Sequence, residues 1–420
     1  MLKPHLFLII ISLQMTNIQA SEVINVTEDE TIVDSQIQVE QEVVLGDSDG
    51  SLDDSINSIE VRKVLDGISL SGDLRTSYYY TSLNNEKLTD GLVSRWRIRS
   101  EIGLLPSLRA VGRVAGLCST EECSANFVLE NFIPSTNSMN EGDITLDEAY
   151  LHWFRLNKFD LAIGRMQTKF VANGGVFAKS LDRNDSNNVN INWTDGMHAT
   201  YRADNNWISN LILQHNSSNG PTNIRRGPLD FDDPSAKISY VLGFENRTRT
   251  RYILQRELDI TYLPATLLKN GSTTEQRTDY YGVVIRGAGR WPERDEGIRL
   301  RVATEIGYAP KTQTKAAARL SGDGDVNGLG WNVALSLMDI KPNHSVGFNY
   351  GRVGAGWLIS PQFRQNESLS EIRYQWRKNS QLAFDFRVRN RKELDQRVMA
   401  DHKLSEWDLY LRFTWGGSLK

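Results

Sequence analysis

Arginine recurs at every second position in several stretches of this chain. Arg95-Trp96-Arg97-Ile98-Arg99 sets three arginines against a tryptophan and an isoleucine. Arg299-Leu300-Arg301-Val302, Ile372-Arg373-Tyr374-Gln375-Trp376-Arg377 and Phe384-Asp385-Phe386-Arg387-Val388-Arg389 repeat the pattern. The guanidinium is a permanent cation whose rigid fork matches carboxylate and phosphate oxygens. The chemistry on offer is reversible attraction of anions, not bond-making. Covalent chemistry has little to work with. His152, His198, His215, His344 and His402 show no HExxH spacing, and no G-x-S-x-G turn occurs. No catalytic residue, cofactor or enzymatic activity is expected. Asp323-Gly324-Asp325-Val326-Asn327-Gly328 opens like a calcium loop, but its twelfth position, where a bidentate acid belongs, is Ala334. A polar turn is expected there, and no metal site.

The elements that carry these residues read as strands behind an export signal. Met1-Leu2-Lys3, the apolar run Leu6–Ile11 and Ile18-Gln19-Ala20 make a secretory signal peptide cut after Ala20, too short to span a membrane as a helix. Export leads to an oxidising compartment, so Cys118 and Cys123 are expected to form a disulfide staple; two thiols would fill only half of a zinc shell. Residues 21–66 contain no aromatic residue and carry 13 acids against 2 bases. Such a segment buries too little apolar surface to order itself and reads as a flexible periplasmic leader, with a short helix over Ser51–Leu65 as the alternative to a plain linker. From Gly67 on, 45 bases face 39 acids.

From Gly67 the apolar period is two, the period of a strand. Sixteen segments follow, near 68–81, 92–105, 107–117, 143–156, 159–170, 196–203, 206–216, 236–246, 254–264, 279–290, 297–309, 328–340, 344–354, 367–378, 382–392 and 406–416. The stretch Arg247–Gln255 could belong to either the eighth or the ninth. Connections such as Leu105-Pro106, Asn157-Lys158, Asp204-Asn205 and Lys341-Pro342-Asn343 are short and alternate with long ones rich in Gly, Asn, Ser and Asp. Short turns on one side and long loops on the other is the outer-membrane pattern. A soluble sandwich also alternates, but here the apolar face is aromatic near segment ends (Tyr78, Tyr80, Trp96, Trp153, Tyr262, Trp331, Tyr374, Trp376, Trp407, Trp415), as in interfacial girdles, while the other face is densely charged. The expected fold is all-β: a closed antiparallel transmembrane barrel over 67–420, most simply of 16 strands, its backbone groups paired internally as lipid demands.

Leu146-Asp-Glu-Ala-Tyr-Leu-His-Trp-Phe154 followed by Phe159-Asp-Leu-Ala-Ile-Gly-Arg165, and Gly356-Trp-Leu-Ile-Ser-Pro-Gln-Phe-Arg364 with Leu369-Ser-Glu-Ile-Arg-Tyr-Gln-Trp-Arg377, resemble segments of Gram-negative outer-membrane porins, in particular the phosphate-selective and related uncharacterised kinds. The resemblance covers the body from Gly67 to Trp415. It implies a bacterial outer-membrane location, contact with outer-membrane lipid and the barrel-assembly machinery, and passage of small hydrophilic or anionic solutes. It also implies a homotrimer, for which Ala110, Gly112 and Val114 offer a small-residue outer strip. Nucleic acid is not among the expected partners. One departure is the C-terminus: barrels of this kind end on an aromatic residue, whereas Trp415 is followed by Gly-Gly-Ser-Leu-Lys420. Phosphate-specific members line their pores with lysine, but the bases here are mostly arginine.

Taking polar faces as lumenal gives the expected pore lining. Its bases are Arg75, Arg95, Arg97, Arg99, Arg109, Arg113, Arg202, Arg286, Arg299, Arg301, Arg373, Arg377, Arg387, Arg389 and Arg412. Its acids are Asp73, Glu101, Glu305, Asp385 and Asp408, with Glu257 and Asp259. Such a field concentrates anions in a narrow channel, unless the arginines pair across strands with neighbouring acids. The long third connection, about Val171 to Asp195, carries Lys179, Asp182, Arg183 and Asp185, with Gly174-Gly175 permitting a sharp bend. In the classical porins that the chain resembles the third outer loop folds inward and narrows the pore, so the resemblance implies that this connection is the constriction loop; the alternative is an outward surface loop. The function expected is a passive diffusion channel with weak anion preference. The alternatives are a non-conducting structural or adhesive barrel, and an 18-stranded exporter of an acidic polysaccharide.

Overall fold

A computed structural model describes residues 68–129, 139–156, 158–185, 191–216, 237–248, 250–268, 277–292 and 297–419, all within the larger of the chain's two units, Ile37–Lys420. The expected signal peptide, the acidic leader and the Ser51–Leu65 helix lie outside the described residues.

Among the described residues nineteen strands run in order: β1 (Ile68–Leu83), β2 (Glu86–Leu105), β3 (Leu108–Ser119), β4 (Asn126–Phe127), β5 (Asp143–Leu156), β6 (Phe159–Met166), β7 (Lys169–Asn173), β8 (Ala178–Asn184), β9 (Thr194–Arg202), β10 (Trp207–Asn216), β11 (Lys237–Asn246), β12 (Ile253–Leu268), β13 (Arg277–Trp291), β14 (Arg299–Tyr308), β15 (Leu329–Lys341), β16 (His344–Val353), β17 (Glu367–Arg377), β18 (Leu382–Glu393) and β19 (Ser405–Leu419). Sixteen of them, all but β4, β7 and β8, form one antiparallel wall in sequence order. The wall closes because β1 pairs with both β2 and β19. The seam runs from Leu70↔Leu419 to Leu83↔Glu406. The residues after Trp415 thus extend the closing ladder. The short β4 lies parallel to the start of β5, at Asn126↔Asp143 and Phe127↔Ile144.

Three connections differ from the sequence-based expectation. The first long-side connection is a two-residue turn, Asn84-Asn85, because both asparagines take the left-handed conformation (φ 52° and 72°) that a tight hairpin turn requires. The fifth segment stops at Met166, and Lys169 onward belongs to a separate hairpin, β7–β8. The ambiguous stretch resolves as a connection up to Ile253, where β12 begins; β12 then runs through an irregularity between Leu263 and Leu267 to reach Leu268. Residues 323–328 lie in the connection from β14 to β15, where Asp325 bridges Thr314, Val326 N donates to the Gln313 carbonyl at 3.0 Å, and the Val326 side chain is buried beside Leu320 and Ala355. The disulfide Cys118–Cys123 closes a six-residue loop at the long-loop rim, with Cα atoms 4.5 Å apart.

Burial along the wall is inverted relative to a water-soluble fold. Arg75, Arg97 and Arg387 are at most 2 % exposed, whereas Ile98 and Ile285 are 58 % and 62 % exposed. The outward face is a belt of Leu, Ile and Val bounded by aromatic rings. Toward the long-loop rim Tyr240, Tyr262 and Tyr281 stand 5.7 and 5.1 Å apart, and Trp331 meets Tyr350 at 5.4 Å. Toward the tight-turn rim His344 stacks on Trp376 at 5.7 Å, followed by Phe384 at 5.3 Å and Phe413 at 5.4 Å. Rings with an apolar body and polar edge suit the two interfaces of a bilayer. Trp96 is an exception: it sits mid-strand, where its indole covers Gly116 of β3.

Ile285 tests this reading, since it stands on the outer face between Leu258 and Ile306. Ile285→Arg places a charge at mid-wall, which costs roughly 2–4 kcal/mol in a lipid-facing position and nothing comparable in water. Urea titration of the protein folded into phospholipid vesicles should show that loss; an unchanged midpoint would contradict a lipid-facing wall.

Candidate functional site

Charged side chains from neighbouring strands interlock along the inner face. On β1 to β5, Asp73 accepts from Arg95 at 2.7 Å and lies 3.7 Å from Arg75. Glu101 bridges Arg99 (2.6 Å) and Arg109 (2.9 Å), and Asp147 meets Arg97 (3.1 Å) and Arg113 (3.0 Å). Glu148 adds Arg99 at 3.1 Å and Arg113 at 3.3 Å. On β17 to β19, Asp385 pairs with Arg412 at 3.0 Å, Asp408 with Arg387 at 2.6 Å and with Arg389, and Glu371 with Arg373 at 2.7 Å. Arg377 donates to Gln375 at 3.0 Å, and Arg202 meets Asp160 at 2.6 Å near the tight-turn rim. Cross-strand pairing is therefore extensive.

Asp147 and Glu148 were not in the expected lining, because strict alternation would send one of two adjacent acids outward. A bulge opposite Arg113 places Asp147 as an extra residue, so both carboxylates reach the same arginines. Glu371 was also left out of the expected lining, although it alternates with Arg373 on the same face of β17.

That connection enters the barrel as the β7–β8 hairpin. All four residues singled out in it are buried against partners. Lys179 Nζ meets Glu371 at 2.7 Å, and Asp182 meets Arg286 at 2.6 Å. Arg183 donates to Gln214 at 2.6 Å, and Asp185 accepts from Thr168 at 2.9 Å and Thr194 at 2.7 Å. Burial pushes the Lys179 ammonium down to about 8, against the pull of Glu371. The hairpin's return to the wall is fixed by Arg165, which forks onto Asp195 at 2.7 and 3.0 Å and lies over the Trp193 ring at 4.3 Å.

A second loop, the connection from β16 to β17, covers the hairpin, and nothing in the sequence reading anticipated this. Trp357 Nε1 donates to the Leu181 carbonyl at 2.7 Å, and Ser360 Oγ to the Ser180 carbonyl at 3.0 Å. Leu181, Trp357, Ile359 and Phe363 join Leu263, Tyr280, Val284 and Leu369 of the wall in an apolar core inside the barrel. The signal was available: Trp357-Leu358-Ile359 is an apolar run in a loop that water alone would keep polar. The wall makes room by omission. A Cβ at Gly307 would stand 2.7 Å from the Trp357 ring, one at Gly347 would stand 2.5 Å from the Phe177 ring, and one at Gly351 would collide with Phe363.

Beneath the hairpin, Arg286 is enclosed by four carboxylates: Asp259 at 2.5 Å, Asp182 at 2.6 Å, Glu257 at 2.9 Å and Glu305 at 3.0 Å. Arg301 donates to Asn173 of the hairpin at 3.1 Å, and Arg299 pairs with Asp339. The charges on β12 to β14 thus pair with one another and with the hairpin through Asp182 and Asn173, and Glu371 on β17 also holds the hairpin through Lys179, while the charges on β18, β19 and β1 to β5 pair within the wall.

Trp357→Ala removes a ring that is 1 % exposed, a change of about 3–5 kcal/mol in a packed core, and deletes the bond to Leu181. Amide hydrogen exchange over Ala178–Asn184 is expected to accelerate strongly while the β1–β19 seam keeps its protection. Equal acceleration in both would mean that the loop core holds the barrel itself.

No protein-family model matches the chain, and no curated protein does. Solved structures do. The high-pH structure of Pseudomonas putida OprB matches at 10 % identity with a TM-score of 0.56, over 84 % of this chain and 95 % of that one. Pseudomonas aeruginosa OccK8 (OprE) matches at 12 % identity and TM-score 0.47, over 84 % and 99 %. A loop-deletion mutant of OmpT, an outer membrane protein of Vibrio cholerae, matches at 11 % identity and TM-score 0.45, over 83 % and 99 %. At such identities it is the fold alone that is shared with OprB, a closed antiparallel β-barrel, here of sixteen strands.

Proposed function

We propose that this protein is an outer-membrane diffusion channel for small hydrophilic solutes with a weak preference for anions. One observation carries the reading: the wall closes on itself with its apolar residues outward and its charges inward. Lipid outside and water inside is the one pair of solvents that satisfies both faces. The tight turns then face the periplasm and the long loops the exterior. The likeness of fold to OprB supports the same location.

The β7–β8 hairpin is the constriction in this reading, narrowing the lumen from the side of β12 to β15. The passage follows the opposite wall, along β17 to β19 and β1 to β5. There Arg99 and Arg389 keep 11 % and 15 % of their side-chain surface exposed. Arginine outnumbers carboxylate along the lining, but most carboxylates sit on two arginines, so the preference for anions is weak. Phosphate specificity has no support in an arginine lining. The polysaccharide-exporter alternative calls for eighteen strands, two more than the wall contains. The loop core inside the barrel favours the non-conducting alternative, and conductance decides between them. The strip Ala110, Gly112 and Val114 on β3, with open space over Gly112, is the proposed contact for a homotrimer.

Planar-bilayer recordings are expected to show stable steps, with a reversal potential that favours chloride in a KCl gradient. Exchanging Arg99 and Arg389 for Gln together should move that potential toward potassium. A double variant as chloride-preferring as the wild type would remove these arginines from the selectivity path, and the absence of steps from a folded barrel would remove the channel.

A further inference from the structure

The chain enters the wall at the tight-turn rim. Ile68, the first residue of β1, stands opposite Ile102 near the end of β2, and Leu70 stands opposite Leu419 at the end of β19. The sequence before β1 is therefore tethered beside the mouth that the tight turns surround. That sequence is acidic: from Glu40 to Glu60 it holds seven acids and no base.

The mouth carries the opposite charge. Its seven tight connections, residues 103–109, 155–160, 202–206, 245–256, 290–299, 339–344 and 377–381, hold 14 bases and 7 acids. The excess is uneven. Between β5 and β10 the charges cancel, since Lys158 pairs with Asp204 and Arg202 with Asp160. From β11 to β18 cations predominate. Between Glu245 and Glu257 the sequence has four arginines and no acid, and Arg247, Arg251 and Arg256 are exposed. Arg247 meets Glu245 at 3.1 Å, and Arg251 lies 5.3 Å from the Tyr252 centroid. Arg256 is held by neutral acceptors, Asn246 Oδ1 at 2.8 Å and the Thr248 carbonyl at 2.6 Å, which fix the fork without cancelling its charge. Lys341 and Lys378 are also exposed, the latter in a connection that contains no acid.

Length and tether favour a contact within the chain. Along the wall, β11 is the ninth strand from β1 on the side that passes through β19, roughly 55 Å of rim for tilted strands. The 27 residues from Glu40 to Asp66 reach up to about 90 Å when extended. A single exposed ion pair is weak. A tethered partner, however, is present at millimolar effective concentration, and several charges act together.

We propose that the acidic segment Glu40–Glu60 lies along this arc of the tight-turn rim, on Arg247, Arg251 and Arg256 at one end and on Lys341 and Lys378 at the other, and that it restrains the anion preference of the channel by masking the cations at its mouth. The docking rests on the placement of charge. Its effect on current rests on the channel reading and adds a regulator to it.

The test is zero-length carbodiimide coupling of the full-length protein folded in detergent micelles, which joins a lysine to a carboxylate in contact with it, followed by mass spectrometry. Links from Lys341 or Lys378 to the acids of Glu40–Glu60 are expected, with the Lys158–Asp204 link as internal standard. Leader links should fall roughly tenfold at 1 M salt, where the screening length is about 3 Å. No leader links where the standard forms would overturn the docking, as would leader links confined to Lys311 and Lys315 beyond β14. Neutralising the seven acids, Glu→Gln and Asp→Asn, should abolish the links and raise the chloride preference about twofold in planar bilayers. An unchanged reversal potential in a protein that forms the links would overturn the restraint on anions. Links in a folded barrel that shows no steps keep the docking and remove the channel, whereas steps without links remove the docking and leave the channel.

Discussion

Everything in this molecule depends on one requirement of the hydrocarbon phase, that no backbone N–H or C=O remain unpaired within it. A flat sheet of sixteen strands would leave two open edges. The seam between β1 and β19, fourteen residue pairs long, removes them. Once the wall closes, its two faces meet different solvents, and the period-two alternation that β structure imposes becomes a division between lipid and lumen. The fold thus fixes which residues face the lumen before any particular side chain is considered.

Closure creates a second problem. A barrel of this size encloses more space than wall side chains can fill, and the molecule answers with its own loops. The β7–β8 hairpin and the connection before β17 bring Leu181, Trp357, Ile359 and Phe363 into the lumen. They build there a core like that of a soluble domain, sealed at its base by the carboxylates around Arg286. The lumen is therefore divided, with packing on one side and paired charges on the other. Paired charges concentrate ions only gently, because each carboxylate spends its field on the guanidinia beside it.

Much of this could be read from the sequence, and the reasons for the failures are specific. Strand positions were legible because a lipid-facing strand must alternate without interruption. The ends agreed within a few residues, except where Asn84-Asn85 turned in two residues a connection that composition made look long. Inner arginines were legible as a class; their partners were not, since pairing depends on register between distant segments. Asp147 and Glu148 defeat alternation through a bulge, which leaves no trace in a single sequence. Lys179, Asp182, Arg183 and Asp185 stood out as charges on a long loop, but their contacts with Glu371, Arg286, Gln214 and Thr168 join residues as far as 192 positions apart. The apolar run around Trp357 was visible and was not read as a sign of insertion.

The glycines at 307, 347 and 351 have a consequence for how such a barrel can change its inner width. They are the negative image of Trp357, Phe177 and Phe363, pressed into the wall. Calibre is therefore written twice, once in the rings of the loops and once in the hollows that receive them, at places far apart in the chain. A wider or narrower passage is reached through reciprocal exchanges of size, a smaller ring against a filled hollow, in which volume is conserved while its position moves. Such a lock-and-cast arrangement lets a rigid cylinder drift in diameter over generations without disturbing the strands that hold it in the membrane.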